Sequence, residues 1–205
     1  MLIYIIRHGE TDLNVKGIMQ GRLDEPLNEN GRLLASITGK SLRDIRFDSC
    51  ISSPLKRAAE TARIILRESD NSVPVLYDKR LEELSFGKYE GKKLTKEEAA
   101  VFFSNPFQFG KFPGGESVYD VCKRTQEFLK ELISKDDNKT YLVSTHGCAL
   151  RAMLNWLYRN PDDYWHGNVP YNCVVNILKS QNGVSELIAD DIILYDRKYC
   201  VDRYR

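Results

Sequence analysis

Residues 2–6 form an unbroken apolar, largely β-branched run, Leu-Ile-Tyr-Ile-Ile, which ends at once on Arg7-His8-Gly9-Glu10-Thr11. A strand without polar alternation must be buried on both faces, and this arises when helices cover both sides of a largely parallel sheet. The same grammar recurs along the chain. Residues 48–52, 73–77 and 140–144 read as further strands. Between them, Asn28 is a candidate N-cap for a helix carrying Leu33, Leu34 and Ile37. Ser53-Pro54 opens a helix that runs to Leu66, with Ala58, Ala59, Ala62 and Ile65 at helical spacing. Residues 117–133 form a helix with Val121, Thr125, Phe128 and Leu132 in register, and another spans about 148 to 158. Residues 173–178 and 185–189 flank Asn182-Gly183, a hairpin-turn dipeptide. Strands alternating with helices predict an α/β fold, a three-layer αβα sandwich around a mostly parallel sheet. The 205 residues hold no linker or repeat and are expected to form one domain. Residues 85–115 fit the alternation least and read as a small inserted cap, rich in Lys (88, 92, 93, 96, 111) and Phe (86, 102, 103, 107, 109, 112).

Composition narrows the classes of function. Thirty Lys+Arg against 29 Asp+Glu leave a formal charge of +1, too little to hold nucleic acid as an obligate partner. No apolar run approaches the roughly 18 to 20 residues that span a bilayer. The first six residues lack a basic n-region and a small-residue cleavage site, so they do not read as a signal peptide. Five scattered cysteines (50, 122, 148, 173, 200) without a CxxC pair argue against a disulfide scaffold or a zinc site and favour a reducing cytoplasm. Neither a metal nor an organic cofactor is called for. Oligomeric state is left open between monomer and homodimer.

In open α/β sheets ligands bind outside the carboxyl ends of the strands. Those ends carry Arg7-His8, then Ser52-Ser53-Pro54 with Arg57, then Arg80-Leu81-Glu82-Glu83, then His146-Gly147. Two of only three histidines, several arginines and a carboxylate thus fall on one edge. Two of these sites also open helices, whose first N–H groups favour an anion, and Arg suits a bidentate grip on phosphate oxygens. Taken singly, each residue has an ordinary reading: a strand-end His is usually structural, Arg57 a helix-surface charge, Glu82 or Glu83 a solvated one. Their joint placement reverses that, and the set reads as a phosphate pocket with two imidazoles and an acid. His166 has no such company and reads as structural. Cys148 is next to the site and reads as a packing cysteine at a helix start.

These residues also resemble a known family. Arg7-His8-Gly9-Glu10-Thr11 with Asn14 resembles the signature of the histidine phosphatase (phosphoglycerate-mutase-like) superfamily. The likeness continues in order through Gln20-Gly21-Arg22, Ser52-Ser53-Pro54 with Arg57-Ala58, Leu81-Glu82-Glu83 with Phe86-Gly87, Pro113-Gly-Gly-Glu-Ser117, and Ser144-Thr-His-Gly147 with Leu150-Arg151. It implies His8 as the nucleophile, forming phosphohistidine, with Arg7, Arg57 and His146 on the equatorial oxygens and a further hydrogen bond from Asn14. It places Glu83 as general acid; the spacing to Phe86-Gly87 favours it over Glu82. Thr11, Gln20, Gly21 and Gly147 join the expected substrate-binding set. A loose phosphoryl-transfer transition state spreads charge over three oxygens, so fixed cationic donors supply most of the catalysis without a metal. His8 must attack as neutral imidazole, and nearby cations favour that form. Glu83 must be protonated to act as acid, a state favoured by burial or by the substrate's own charge.

The superfamily holds both hydrolases and mutases. Its phosphoglycerate mutases clamp a second anionic group with an Arg-Arg pair and a Lys after the acid. Here no arginine occurs between Arg80 and Arg124, Leu94 stands at the position matching that Lys, and Phe86 at that of a substrate-contacting Tyr. The expected activity is therefore metal-independent hydrolysis of a small phosphorylated metabolite. A cofactor-dependent mutase, which the cap lysines would serve, and a non-catalytic phosphoester binder are the alternatives.

Overall fold

The computed structural model describes residues 1–200. Its centre is a six-stranded sheet ordered β3-β2-β4-β1-β5-β6. β1 (Leu2–Arg7) lies between β4 (Thr140–Thr145), which is parallel to it, and β5 (Val175–Gln181), which is antiparallel. β2 (Ser49–Ser52) and β3 (Val75–Tyr77) extend the parallel side, and β6 (Val184–Ile192) closes the other edge as the second arm of a hairpin. Only β5 runs against the rest.

The unbroken apolar run of β1 serves two cores. Ile3 and Ile5 pack with Phe128, Leu129 and Leu132 of α6 (Val118–Ile133) and with Leu150 and Met153 of α7 (Gly147–Leu154). Tyr4 and Ile6 point the other way, onto Ala62 and Ile65 of α3 (Lys56–Glu68) and onto Leu42 just past α2 (Glu29–Ser41). Ile3, Ile5 and Ile6 are fully buried, and each such side chain contributes about 1.5–3 kcal/mol. A period of two feeding helices on both faces produces the three layers.

The structure departs from the sequence expectations in local ways. The polar stretch after β1 contains a short helix, α1 (Asp12–Lys16), held by a reciprocal cap between Thr11 and Asn14 and ended by Gly17 in the left-handed region. β3 is shorter than residues 73–77, because Pro74 has no N–H for the ladder. The helix expected to reach 158 stops at Leu154 and tightens into a 3₁₀ turn over residues 155–157. At the hairpin, Asn182 and Gly183 both take positive φ (51° and 76°), as a mirror-image two-residue turn requires.

Residues 85–115 carry a 3₁₀ turn at 87–89 and two short helices, α4 (Lys96–Ser104) and α5 (Pro106–Phe109). Their phenylalanines form an edge-to-face cluster: Phe102 meets Phe86, Phe109, Phe112 and Trp165 at centroid distances of 5.5 to 6.0 Å. With Val121 of α6 and Ala149 and Ala152 of α7 this makes a separate core over the carboxyl end of the sheet. Among the described residues no helix is long and apolar enough to cross a membrane.

Candidate active site

The loop after β1 is docked on the start of α2 so closely that only glycine fits. A Cβ on Gly9 would lie 2.6 Å from the Gly31 carbonyl oxygen, and one on Gly31 would lie 2.1 Å from that of Glu10. The N-cap Asn28 secures the contact: its Oδ1 accepts from Gly31 N–H (2.8 Å), and its Nδ2 donates to Glu10 (3.0 Å). Asn172 donates to the His8 carbonyl from the far side (3.0 Å). His8 is therefore rigidly placed and almost wholly buried.

Its ring orientation follows from its partners. Nδ1 lies 2.6 Å from the Gly9 carbonyl oxygen. A carbonyl only accepts, so the proton sits on Nδ1 and the lone pair on Nε2. Nε2 faces the Nε–H of Arg57, which donates to it at 3.3 Å. Burial, then the charges of Arg57 and Arg7, hold the His8 pKa well below that of a free imidazole, so the ring is neutral.

Arg57 comes from the first turn of α3. Its other two nitrogens donate to the carbonyls of Leu23 (2.7 Å) and Gly21 (2.8 Å), which fixes the guanidinium plane. Burial lowers its pKa to about 10, leaving it cationic at neutral pH. Arg7 donates to the Pro170 carbonyl through one terminal nitrogen. His146 sits with its ring centroid 5.0 Å from that of His8. Its Nε2 pairs with Ser53 Oγ at 2.8 Å, and burial with the Arg57 charge holds it neutral. Two buried nitrogens of the site, Arg7 Nε and His146 Nδ1, have no hydrogen-bond partner among the described residues.

Glu83 lies across this group. Its carboxylate accepts from the backbone N–H groups of Leu84 (2.9 Å), Cys148 (3.2 Å) and Ala149 (3.0 Å). The start of α7, expected to offer its N–H groups to a bound anion, thus spends them on the protein's own acid. At the start of α3, Lys56 N–H donates to Asp24 (2.7 Å). A Cβ on Gly147 would stand 3.4 Å from Arg7 Nε and 3.8 Å from Glu83 Oε2, so Gly147 is the gap in which cation and acid face one another. Glu82 turns away and pairs with Arg22.

A cleft opens at this point. Arg7, His8, Arg57 and Glu83 line it together with Asn14, Gln20, Gly21 and Gly147. Asn14 Oδ1 is taken by the amide and hydroxyl of Thr11 (3.2 and 3.1 Å), leaving its Nδ2 to donate. Thr11 itself is not on the wall; it is fully buried and caps α1. Cys148 reaches the wall, where burial and the neighbouring Glu83 push its thiol pKa well up, so it presents a neutral surface. His166 lies elsewhere, stacked on Tyr158 at 3.5 Å.

Two contributors take roles that the sequence does not specify. Ser53 orients His146 from the end of β2; the sequence places it at a strand end and within Ser52-Ser53-Pro54 but does not name its partner. Arg124 of α6 donates to the carbonyls of Arg80, Glu82 and Glu83 (2.7, 2.7 and 3.0 Å) and to the Glu116 carboxylate (2.8 and 3.0 Å). It thereby fixes the loop that carries the acid. Among the described residues no group of three or more His, Cys, Asp or Glu side chains is arranged to hold a metal ion.

Comparison with known proteins fits this geometry. The chain is 34% identical over 183 residues to a broad-specificity phosphatase from Saccharomyces cerevisiae, covering 86% of this chain and 78% of that protein. It is 30% identical over 175 residues to a 2,3-bisphosphoglycerate-dependent phosphoglycerate mutase from Cytophaga hutchinsonii (80% and 81% covered). Among solved structures, Bacillus stearothermophilus YhfR superposes with a TM-score of 0.84 at 30% identity, covering 93% of this chain and 96% of that one. The profile of the histidine phosphatase superfamily (branch 1) matches residues 3–189. With His8 and His146 facing one another at the carboxyl ends of β1 and β4, this chain belongs to the histidine phosphatase superfamily, branch 1.

Proposed function

We propose that the chain is a phosphomonoester hydrolase working through a phosphohistidine on His8. The observation that carries this reading is the state of the His8 ring: neutral, protonated on Nδ1, with the Nε2 lone pair directed at Arg57 inside the cleft. In the first step Nε2 attacks phosphorus, the bond from phosphorus to the ester oxygen breaks, and Glu83 delivers its proton to the departing oxygen. In the second, Glu83 takes a proton from water as that water attacks phosphorus. The P–N bond then breaks, inorganic phosphate leaves, and His8 is restored. Arg57, Arg7 Nε, His146 Nδ1 and Asn14 Nδ2 donate to the phosphoryl oxygens, where charge is spread in the transition state. Splitting one displacement into two gives each a better nucleophile or leaving group.

Water is favoured over a second phosphorylated acceptor. A mutase has to hold the non-reacting anionic group of its substrate, yet Leu94 and Phe86 are packed in the aromatic cluster. Lysines 88, 92, 93, 96 and 111 are exposed, and none lines the cleft. A non-catalytic binder would have no need of the neutral nucleophile and the acid facing it. The test is a rapid alkaline quench with a phosphorus-labelled alkyl phosphate. The intact protein should yield a base-stable, acid-labile phosphoprotein, and His8→Ala should yield none and lose turnover. Turnover that persists in His8→Ala would remove the covalent mechanism.

A further inference from the structure

The cleft has two unlike kinds of wall. Among its described lining residues the only charged groups are Arg7, Arg57 and Glu83, all gathered around His8. Much of the remaining wall is apolar: Ile18, Met19, Phe86, Phe102, Phe103 and Trp165. This wall is built in advance. Phe86 meets Phe102 edge to face (83° between planes), and Trp165 lies 5.7 Å from Phe102 and 5.9 Å from Phe103. Trp165 spends its single N–H on the Phe102 carbonyl at 3.2 Å, so the indole offers the cleft only hydrocarbon. Gln20 is also on the wall, 7% exposed, and its Oε1 has no hydrogen-bond partner among the described residues. An amide oxygen there accepts from a hydroxyl or a ring N–H.

From this we infer, resting on the hydrolase reading, that the substrate is a monophosphate ester whose alcohol half is apolar or aromatic and carries no second anionic group. The guanidinium of Arg57 is already shared between Leu23, Gly21 and His8, and Arg7 is tied to Pro170. A second phosphate or carboxylate on the alcohol half would lie against phenyl rings, stripped of water and without a cation, and such burial is unfavourable. An aryl or alkyl group gains contact with those same rings. Selectivity comes as much from rejecting the anion as from welcoming the apolar group.

The experiment compares phenethyl phosphate with phosphoglycerate, two alkyl phosphates with similarly poor leaving groups, so that chemistry at phosphorus is matched. We expect kcat/KM to favour phenethyl phosphate by at least about 100-fold. Affinity of the two compounds for His8→Ala, measured by calorimetry, reads the cleft without turnover and should show the same order. Phe103→Lys, a cation added to the aromatic wall, should shrink the ratio at least about tenfold by raising activity on phosphoglycerate. Equal or tighter binding of phosphoglycerate by His8→Ala overturns this specificity, whether or not the protein proves to be a hydrolase. Failure of the hydrolase reading shows separately, as the lack of any phosphoprotein with either ester. In that case the order of affinities still decides the specificity.

Discussion

Glu82 and Glu83 are neighbours in the chain but differ in what holds each carboxylate. Glu82 pairs with Arg22 outside the cleft, whereas Glu83 is held by three backbone N–H groups and faces Arg7 across Gly147. An acid that protonates a departing oxygen matters most when that oxygen leaves poorly. Glu83→Gln should therefore lose roughly 100- to 10,000-fold in kcat/KM on alkyl phosphates and far less on nitrophenyl phosphate. Glu82→Gln should do little on either. Equal losses on both esters from Glu83→Gln would mean that another group is the acid. The two buried imidazoles make a further prediction, about stability. Both have folded-state pKa values held well below the ordinary 6.5, by burial first and by Arg57 next. Below pH 6.5 the unfolded chain takes up protons that the folded chain refuses, so stability present above that pH is lost as pH falls. Each histidine contributes a slope of up to about 1.4 kcal/mol per pH unit. Urea titrations between pH 5 and 6.5 should show His8→Gln losing about one proton of this dependence. An unchanged slope would place His8 in contact with solvent. The residues on the strand ends were legible in the sequence because a strand end is a fixed address in this kind of sheet. What Ser53 and Arg124 hold was not, since that is set by packing across the fold.

At the scale of elements, legibility tracked length. β1, β4, α3 and α6 have either a continuous apolar run or a repeating apolar face, and each reads within a few residues of its observed bounds, whereas for α2 the sequence marks only the N-cap and part of one face. α1 is five residues long, too short for a period to appear, and exists because Thr11 and Asn14 cap each other. The end of α7 was overestimated because the apolar pattern continues through Trp156 and Leu157 while the backbone tightens to 3₁₀. One element does more than its sequence announces. α6 not only covers the sheet but sends Arg124 to three successive anchor points, the carbonyls of Arg80, Glu82 and Glu83. Without it the acid would sit on an unsupported loop, and a displacement of about 1 Å at a catalytic group costs on the order of 100-fold in rate. Arg124→Met should thus lower kcat on alkyl phosphates by about that factor, with KM changed much less. A rise in KM alone would mean that the loop keeps its place without Arg124.

Taken whole, the molecule has two kinds of core, and they differ in how they are tied down. The strands around β1 are paired on both sides and covered by helices on both faces, so their amides should exchange with solvent only through global unfolding. The cluster formed by residues 85–115 rests on short helices of nine and four residues and on side-chain packing. Beyond its own helices and turns, its long-range backbone ties are few, such as the exchange of Met19 with Gly91 and Lys92 (both 2.9 Å), which predicts a sub-global opening of lower free energy. That segment also supplies Phe86, Phe102 and Phe103 to the cleft that holds His8. Opening it dismantles part of the site, so a ligand seated at His8 must resist the opening. Vanadate can mimic the pentacoordinate phosphoryl group on His8. At 100 times its dissociation constant it should stabilise the closed form by up to about 2.7 kcal/mol, slowing exchange in α4 up to about 100-fold. Amides of the β5–β6 turn, which lies outside the cleft, should be unaffected. The measurement is amide exchange by mass spectrometry with and without vanadate. If α4 exchanges at the same rate in both, the aromatic segment opens independently of the phosphoryl site, and the two kinds of wall do not act as one.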